Sequence, residues 1–466
     1  MKKFNLLFLF LLIYQLSIGQ TLQDTIAQVD KLLSQYQAFN PGGQLSIARN
    51  GEIIYSKAVG VGDLERNVPL TTSSIIEAGS VSKQFTAAAL LLLEQQGKLS
   101  LDDDVRKYIP ELRDYGMPIK LSHMLQHTSG LRDWGAIASL TGWSRGTQFY
   151  TNEDALEIIV RQKQLNNKPG DEFIYSNSNY NLAAIIVQRV SGLTLADFTK
   201  KYIFEPAGMT NTQWRDDPNR IVKNRAVAYS KTENGYKLNM PNEYVYGNGG
   251  LLTTTEDLLK WSNFYQQGKM GTSSLLAKQL QTKPLNDGKK SVYGAGLFIM
   301  KVRGWDNINH GGATAGYRAY LETFPELKLT VAILSNTPEF NINALSDKVH
   351  KIFVTDKTDN TAKIEEPKEE PKVEPAALSS ETLKSYEGIY FSEETNTTVT
   401  LKVQNENLMI RLNANTIYPL KSATKDTFYI EDLDGDLVFL RNTKNKLNSF
   451  KISVGRARNV AFTKKQ

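Results

Sequence analysis

Cysteine is absent from all 466 residues. Its absence excludes disulfides, a thiol nucleophile, thiolate metal sites and a lipid-bearing cysteine behind an N-terminal leader. Histidine is scarce, with four in the chain. Two of these, His123 and His127, stand at a spacing that can hold zinc on a helix. The glutamate of a His-Glu-x-x-His site is missing and no third-ligand motif stands nearby, so the pair reads as structural, with His127-Thr128-Ser129-Gly130 as a helix end and turn. A dominant charge of one sign is lacking too: 55 basic residues face 49 acidic ones, a net +6. The basic residues are interspersed with the acids, which argues against a nucleic-acid surface. Beyond the N-terminus no run is long and apolar enough to cross a bilayer.

What is present divides the chain. Residues 1–19 read as a secretory signal: Lys2 and Lys3, an apolar core from Leu6 to Leu16, then Ser17-Ile18-Gly19 as a small-residue cleavage site. The expectation is an exported protein, periplasmic or extracellular, with no stable membrane anchor after cleavage. A first folded unit occupies 20–356. Residues 357–380, with Glu365-Glu366-Pro367-Lys368-Glu369-Glu370-Pro371, read as a charged, proline-punctuated linker. Residues 381–466 alternate apolar and polar positions, as in Val399, Leu401, Val403 and Phe450, Ile452, Val454, and predict a small all-β barrel or sandwich.

Within 20–356 the pattern is α/β of the α+β kind. Helical spacing over Leu22 to Tyr36 is followed by two strand-like runs flanking Asn50-Gly51, a strong hairpin signal. Residues from about 100 to 290 read as helices and loops. Strand signals return at Gly294 to Ile299, Tyr317 to Phe324 and Leu329 to Leu334, before a helix from Ala344 to Phe353. Strands at both ends around a helical middle predict one antiparallel sheet, with the terminal helices on one face and a helical subdomain on the other.

The stretch around which this is organised is Gly79-Ser80-Val81-Ser82-Lys83, followed by an Ala- and Leu-rich run that Gly97 stops. A helix there is apolar nearly all round and therefore buried. Ser80 falls at its N-terminus, and Lys83, three residues on, returns over the same face to reach the hydroxyl. Burial lowers a lysine from about 10.4 towards neutrality, so the amine can take the serine proton. Free N–H groups of the first turn suit an oxyanion. Ser-x-x-Lys alone carries little information: roughly one or two chance copies are expected at this length, and a second stands at Ser422 and Lys425 in the strand-rich tail.

Two further stretches carry chemistry. Tyr175 and Asn177 lie two apart in a loop before an apolar helix from Leu182 to Val190. A tyrosine beside a lysine can act as base or pass a proton to a leaving group, and an asparagine can bind both a substrate carbonyl and the lysine. His310-Gly311-Gly312-Ala313 precedes a strand pair; its glycines let a substrate approach the backbone, and the N–H of Ala313 supplies a second oxyanion donor.

Taken together and in this order, Ser80-x-x-Lys83, Tyr175-x-Asn177 and His310-Gly311-Gly312 resemble the serine β-lactamase and penicillin-binding-protein superfamily. The likeness is to its class C-like branch of D-Ala-D-Ala carboxypeptidases, D-aminopeptidases and esterases. Leu121 to Leu131, Gly247 to Trp261 and Tyr293-Gly-Ala-Gly resemble family members as well. The resemblance covers about residues 25 to 355 and implies an acyl-enzyme on Ser80. Lys83 is then the activating amine, Tyr175 the general base and acid, Asn177 a substrate-orienting amide, and the N–H groups of Ser80 and Ala313 the oxyanion hole. It implies no metal or cofactor, and a small peptide or ester substrate, including peptidoglycan-derived ones. One departure matters: β-lactamases carry Lys-Thr-Gly where this chain has His310-Gly311-Gly312, and a histidine is only partly charged at neutral pH. D-amino-acid peptide or ester hydrolysis therefore ranks above β-lactamase activity, with a catalytically idle scaffold or cell-wall-binding protein as the third reading. The tail resembles the lipocalin-like barrels appended to some of these hydrolases, with capping, oligomerisation and ligand binding all open as its role.

Overall fold

A computed structural model describes residues 22–36, 38–272, 274–357 and 378–465. The expected signal sequence and all but the edges of the expected linker lie outside the described residues. Helix α1 covers residues 22–33. Strands β1 (Gly43–Arg49) and β2 (Glu52–Val59) form the hairpin expected at Asn50-Gly51. Both turn residues adopt positive φ, 54° and 82°, the conformation that matches the twist of the flanking strands. Four later strands complete the sheet: β3 (Phe298–Val302), β4 (Trp305–Thr314), β5 (Tyr317–Phe324) and β6 (Leu329–Ser335), in the order β3-β4-β5-β6-β1-β2 and antiparallel throughout.

Strand periodicity explains the layers. On β1 and β6, Leu45, Ile47, Val331 and Ile333 face α1 (Val29, Leu33) and a C-terminal helix, Ile342–Phe353 (Leu345, Val349). Alternate residues Ala48, Ala332 and Leu334 enter a second core shared with the helical part. Every residue of β6 is buried, because both faces of the sheet are covered. At the centre of the second core lies α2 (Lys83–Gln95), buried continuously from Lys83 to Leu93. Helix α3 (Asn177–Ser191) joins the same core through Ile186 and Val187.

Two segments differ from what their sequence pattern predicts. The strand expected from Gly294 begins only at Phe298, with Gly294 to Leu297 forming a loop. His310 to Ala313, expected at a strand edge ahead of Tyr317, lie within strand β4, an element the pattern does not mark, where Gly312 pairs with Ala319 and Ala313 with Arg318. Asn307, Asn309 and two glycines give β4 little intrinsic strand preference, and pairing with β5 decides its state.

Residues 388–464 close into an eight-stranded antiparallel barrel, from Gly388–Ser392 to Ala457–Lys464. Alternation on Gly435–Arg441 sends Leu437 and Phe439 inward. The interior is filled by rings, with Phe450 and Phe462 stacked at 4.9 Å and Tyr386 against Phe439 at 4.4 Å. Ser422 sits on one barrel strand and Lys425 in the turn after it, remote in sequence and fold from Ser80. The barrel docks on the helical part through a buried ion pair, Arg132 to Glu394, and through Arg458 to Glu172 at 2.9 Å.

Candidate active site

Ser80 lies in a single 3-10 turn, Gly79–Ser82, that runs directly into α2. A 3-10 turn has three residues per turn, so residues i and i+3 eclipse and Lys83 stands over Ser80. The turn is pinned by Ser82, whose Oγ donates to the Gly79 carbonyl at 2.6 Å and accepts from the Leu251 N–H at 3.1 Å. It lies tight against β4: a Cβ on Gly79 would stand 2.7 Å from the Ala313 nitrogen, and one on Gly312 would stand 2.0 Å from the Ala78 oxygen. Gly79 also has φ +49°, so glycine is required there twice over. This contact brings the N–H of Ser80, which has no intrahelical acceptor, alongside the backbone of Ala313.

Lys83 has no exposed surface. Its Nζ is 3.1 Å from Ser80 Oγ, 2.9 Å from Asn177 Oδ1 and 2.6 Å from the Asn248 carbonyl. Burial, reinforced by the positive fields of Arg145 and Arg456, pulls the amine well below the usual lysine range, and Asp133 opposes the shift. A neutral amine has two N–H donors and one lone pair. Two of its neighbours are acceptor-only oxygens, so they take the two N–H groups and the lone pair is left facing the Ser80 hydroxyl.

Asn177 is the first residue of α3 rather than a loop residue, and its N–H donates to Asp133 Oδ2 at 2.7 Å. Tyr175, two residues before it, borders Lys83, with Nζ 4.8 Å from the ring centre. Burial holds the phenol well above its ordinary pKa, against the pull of a Ser80 hydrogen bond and of Arg456. Tyr175 therefore carries its proton at neutral pH.

His310 departs from the expected partial charge. It is 2 % exposed, and burial beside Lys83 pushes its pKa down to about 3. Both ring nitrogens are engaged: Nδ1 lies 2.6 Å from the Gly311 carbonyl, which it meets as a donor, and Nε2 accepts from the Tyr293 hydroxyl at 2.9 Å. The ring is neutral and structural, closing one wall of a cleft of about 720 Å³ that Ser80, Tyr175, Asn177 and Gly311 to Ala313 also line.

Residues outside the three short motifs complete the site. The His127 ring packs 4.1 Å from Tyr175, and its Nδ1 lies 3.2 Å from the Ser176 nitrogen. His127 has φ +56°, beyond the end of the helix Leu121–Leu125, so the helical zinc spacing to His123 is not realised. Among the described residues no cluster of three or more His, Asp or Glu is placed to hold a metal ion. The Asn248 carbonyl is fixed by its own side chain, whose Oδ1 accepts from Asn181 Nδ2 at 2.8 Å. His127, Asn248 and Tyr293 all fall in the supporting stretches that the sequence marked, although without roles. Asp133, Arg145 and Arg456 had no sequence signal.

A family model described as Beta-lactamase matches residues 29–352. The chain belongs to the beta-lactamase family. Within this beta-lactamase family it is similar to the D-aminopeptidase of Gluconobacter oxydans (strain 621H), at 30% identity over 298 residues, 64% of this chain and 56% of that protein. The match thus spans little more than half of the relative's length. Penicillin-binding protein 4* of Bacillus subtilis (strain 168) is 26% identical over 435 residues, 87% of this chain and 91% of that one. Among solved structures, an octameric penicillin-binding protein homologue from Pyrococcus abyssi superposes with a TM-score of 0.58 at 25% identity, covering 96% of this chain and 100% of that chain. The family match stops before the barrel, whereas this last likeness runs through it.

Proposed function

We propose that this protein is a serine hydrolase that cleaves D-amino-acid peptides or esters through an acyl-enzyme on Ser80. The observation that carries the reading is the wiring of Lys83: its buried Nζ meets the Ser80 hydroxyl and two acceptor oxygens, which in the neutral amine take its two N–H groups and leave the lone pair for the Ser80 proton. Membership of the beta-lactamase family, with a D-aminopeptidase and a penicillin-binding protein among its relatives, supports the same chemistry.

In the first step Ser80 Oγ bonds to the substrate carbonyl carbon while its proton passes to Lys83 Nζ. The carbonyl oxygen gains the negative charge between the N–H groups of Ser80 and Ala313. Tyr175, protonated at rest, gives its proton to the leaving nitrogen or oxygen as that bond breaks, and regains one from the Lys83 ammonium. Water then attacks the acyl-enzyme, giving its proton back along the same route, and Ser80 leaves with its hydroxyl restored. Of the two roles the sequence reading gave Tyr175, the acid is the one its high pKa favours, with Lys83 as the base.

Neutral, fully engaged His310 offers no charge to a β-lactam carboxylate, which favours peptidase or esterase chemistry over β-lactam hydrolysis. Export follows, as part of this proposal, from Lys2, Lys3 and the apolar run behind them. Intact mass after incubation with a fluorophosphonate, on wild type and on Ser80→Ala, tests the assignment. We expect a single adduct on wild type and none on the variant. An adduct of equal yield on Ser80→Ala, or none on folded wild type, overturns it, the latter in favour of the idle scaffold.

A further inference from the structure

The cleft over Ser80 is lined by three arginines, Arg145, Arg318 and Arg456, and by no aspartate or glutamate. Arg145 and Arg318 are each held by acceptors of this chain. Arg145 forks onto Glu243, with Nε 2.7 Å from Oε2. Arg318 donates from its guanidinium to the carbonyls of Ala315 and Tyr317 at 2.9 and 2.7 Å. Arg456 is exposed and, among the described residues, forms no ion pair. Its guanidinium lies 4.6 Å from the centre of the Tyr175 ring.

Arg456 comes from the barrel, in the two-residue turn between its last strands, Leu447–Val454 and Ala457–Lys464. Gly455 takes the left-handed position of that turn, with φ +47°. The turn is fastened to the hydrolase unit by main-chain bonds: the Arg456 carbonyl accepts from Asn166 Nδ2 at 2.9 Å and from the Asp133 N–H at 3.3 Å. Asp133 is the residue whose carboxylate holds the Asn177 N–H. A cation from the second unit is thus held in register with the catalytic amide, its side chain left unpaired at the mouth of the cleft.

We propose that Arg456 binds the carboxylate of the residue that leaves, so that the barrel supplies the specificity for substrates ending in a free carboxylate. The placement beside Tyr175 gives the direction. Tyr175 protonates the leaving nitrogen, and in a C-terminal residue the carboxylate sits one carbon from that nitrogen, on the side where the guanidinium stacks. A free substrate ammonium in the same place meets an arginine with no counter-charge and is repelled. Charge-assisted contacts to a pre-positioned arginine are the strong ones, and a guanidinium can offer two parallel N–H groups to one carboxylate. This inference rests on the Ser80 hydrolase reading and narrows its substrates to carboxypeptidase-type ones.

The test uses the full chain and an N-acylated D-dipeptide in two forms, free acid and C-terminal amide. The readout is the concentration of each that halves the rate of fluorophosphonate labelling at Ser80, with product release measured alongside. The acid should protect at a concentration roughly 10- to 100-fold lower than the amide. That gap should close in Arg456→Ala and persist in part in Arg456→Lys. Equal protection by the two forms on wild type, an unchanged gap in Arg456→Ala, or a preference for the amide overturns the carboxylate seat and leaves the hydrolase standing. Failure of wild type to be labelled at all overturns the hydrolase reading itself, and this one with it.

Discussion

If Lys83 is neutral in the folded protein, replacing it must change how stability depends on pH. The unfolded chain protonates this amine at about 10.4. The folded chain holds it well below that value because the amine is buried, with Arg145 and Arg456 adding to the shift. Between the two pKa values the unfolded state carries one proton more than the folded state, so stability rises with pH by about 1.4 kcal/mol per unit. Below the folded pKa both states are protonated and the slope disappears. In Lys83→Met this linkage is gone. The two carbonyl oxygens left without donors cost the same at every pH, so they shift the curve without tilting it. Between the folded pKa and about pH 10 wild type should therefore gain about 1.4 kcal/mol per pH unit relative to Lys83→Met, all other titrating groups cancelling. Urea unfolding followed by tryptophan fluorescence measures this directly, because all five tryptophans lie before residue 310 and report the hydrolase unit alone. Parallel stability curves for the two proteins would mean a charged Lys83 in the folded state, and Ser80 would then need another base.

Other consequences are open to measurement. Tyr175→Phe removes the leaving-group acid and should slow peptide cleavage by roughly 100- to 10,000-fold while sparing activated esters, whose leaving groups need no proton; equal losses on both substrate types would argue for Tyr175 as the base. Glu394→Gln should destabilise the docked barrel by roughly 3 to 5 kcal/mol, since it strips the counter-charge from Arg132, which is 1 % exposed. Denaturant midpoints that move by less than about 1 kcal/mol would show that the remaining acceptors suffice for Arg132. These accompany the Ser80→Ala labelling and the Arg456 protection experiment.

Most of the fold that depends on local pattern could be read from the sequence. The hairpin at Asn50-Gly51 follows from two residues that tolerate positive φ between alternating runs. Barrel strands such as Gly435–Arg441 show the same period of two in sequence and in burial. Ser80 and Lys83 face each other because three residues separate them on a helical turn, although that turn is 3-10 where an α-helical end was expected. Strand β4 escaped because Asn307, Asn309 and two glycines dilute its strand preference and pairing with β5 decides its state.

The sequence by itself therefore determined the juxtaposition of Ser80 and Lys83, the antiparallel sheet between helical layers, and the all-β character of the tail. Only the tertiary structure decided the charge states. Whether His310 is half-charged or neutral, and whether Lys83 is an acid or a base, depends on desolvation, a property of the whole surrounding core that no local spacing records. The same holds for the groups gathered around Ser80 from far along the chain: the Asn248 carbonyl, the His127 ring and, from the barrel, Arg456. Packing brings Asn248 and Arg456 to the cleft and His127 behind Tyr175.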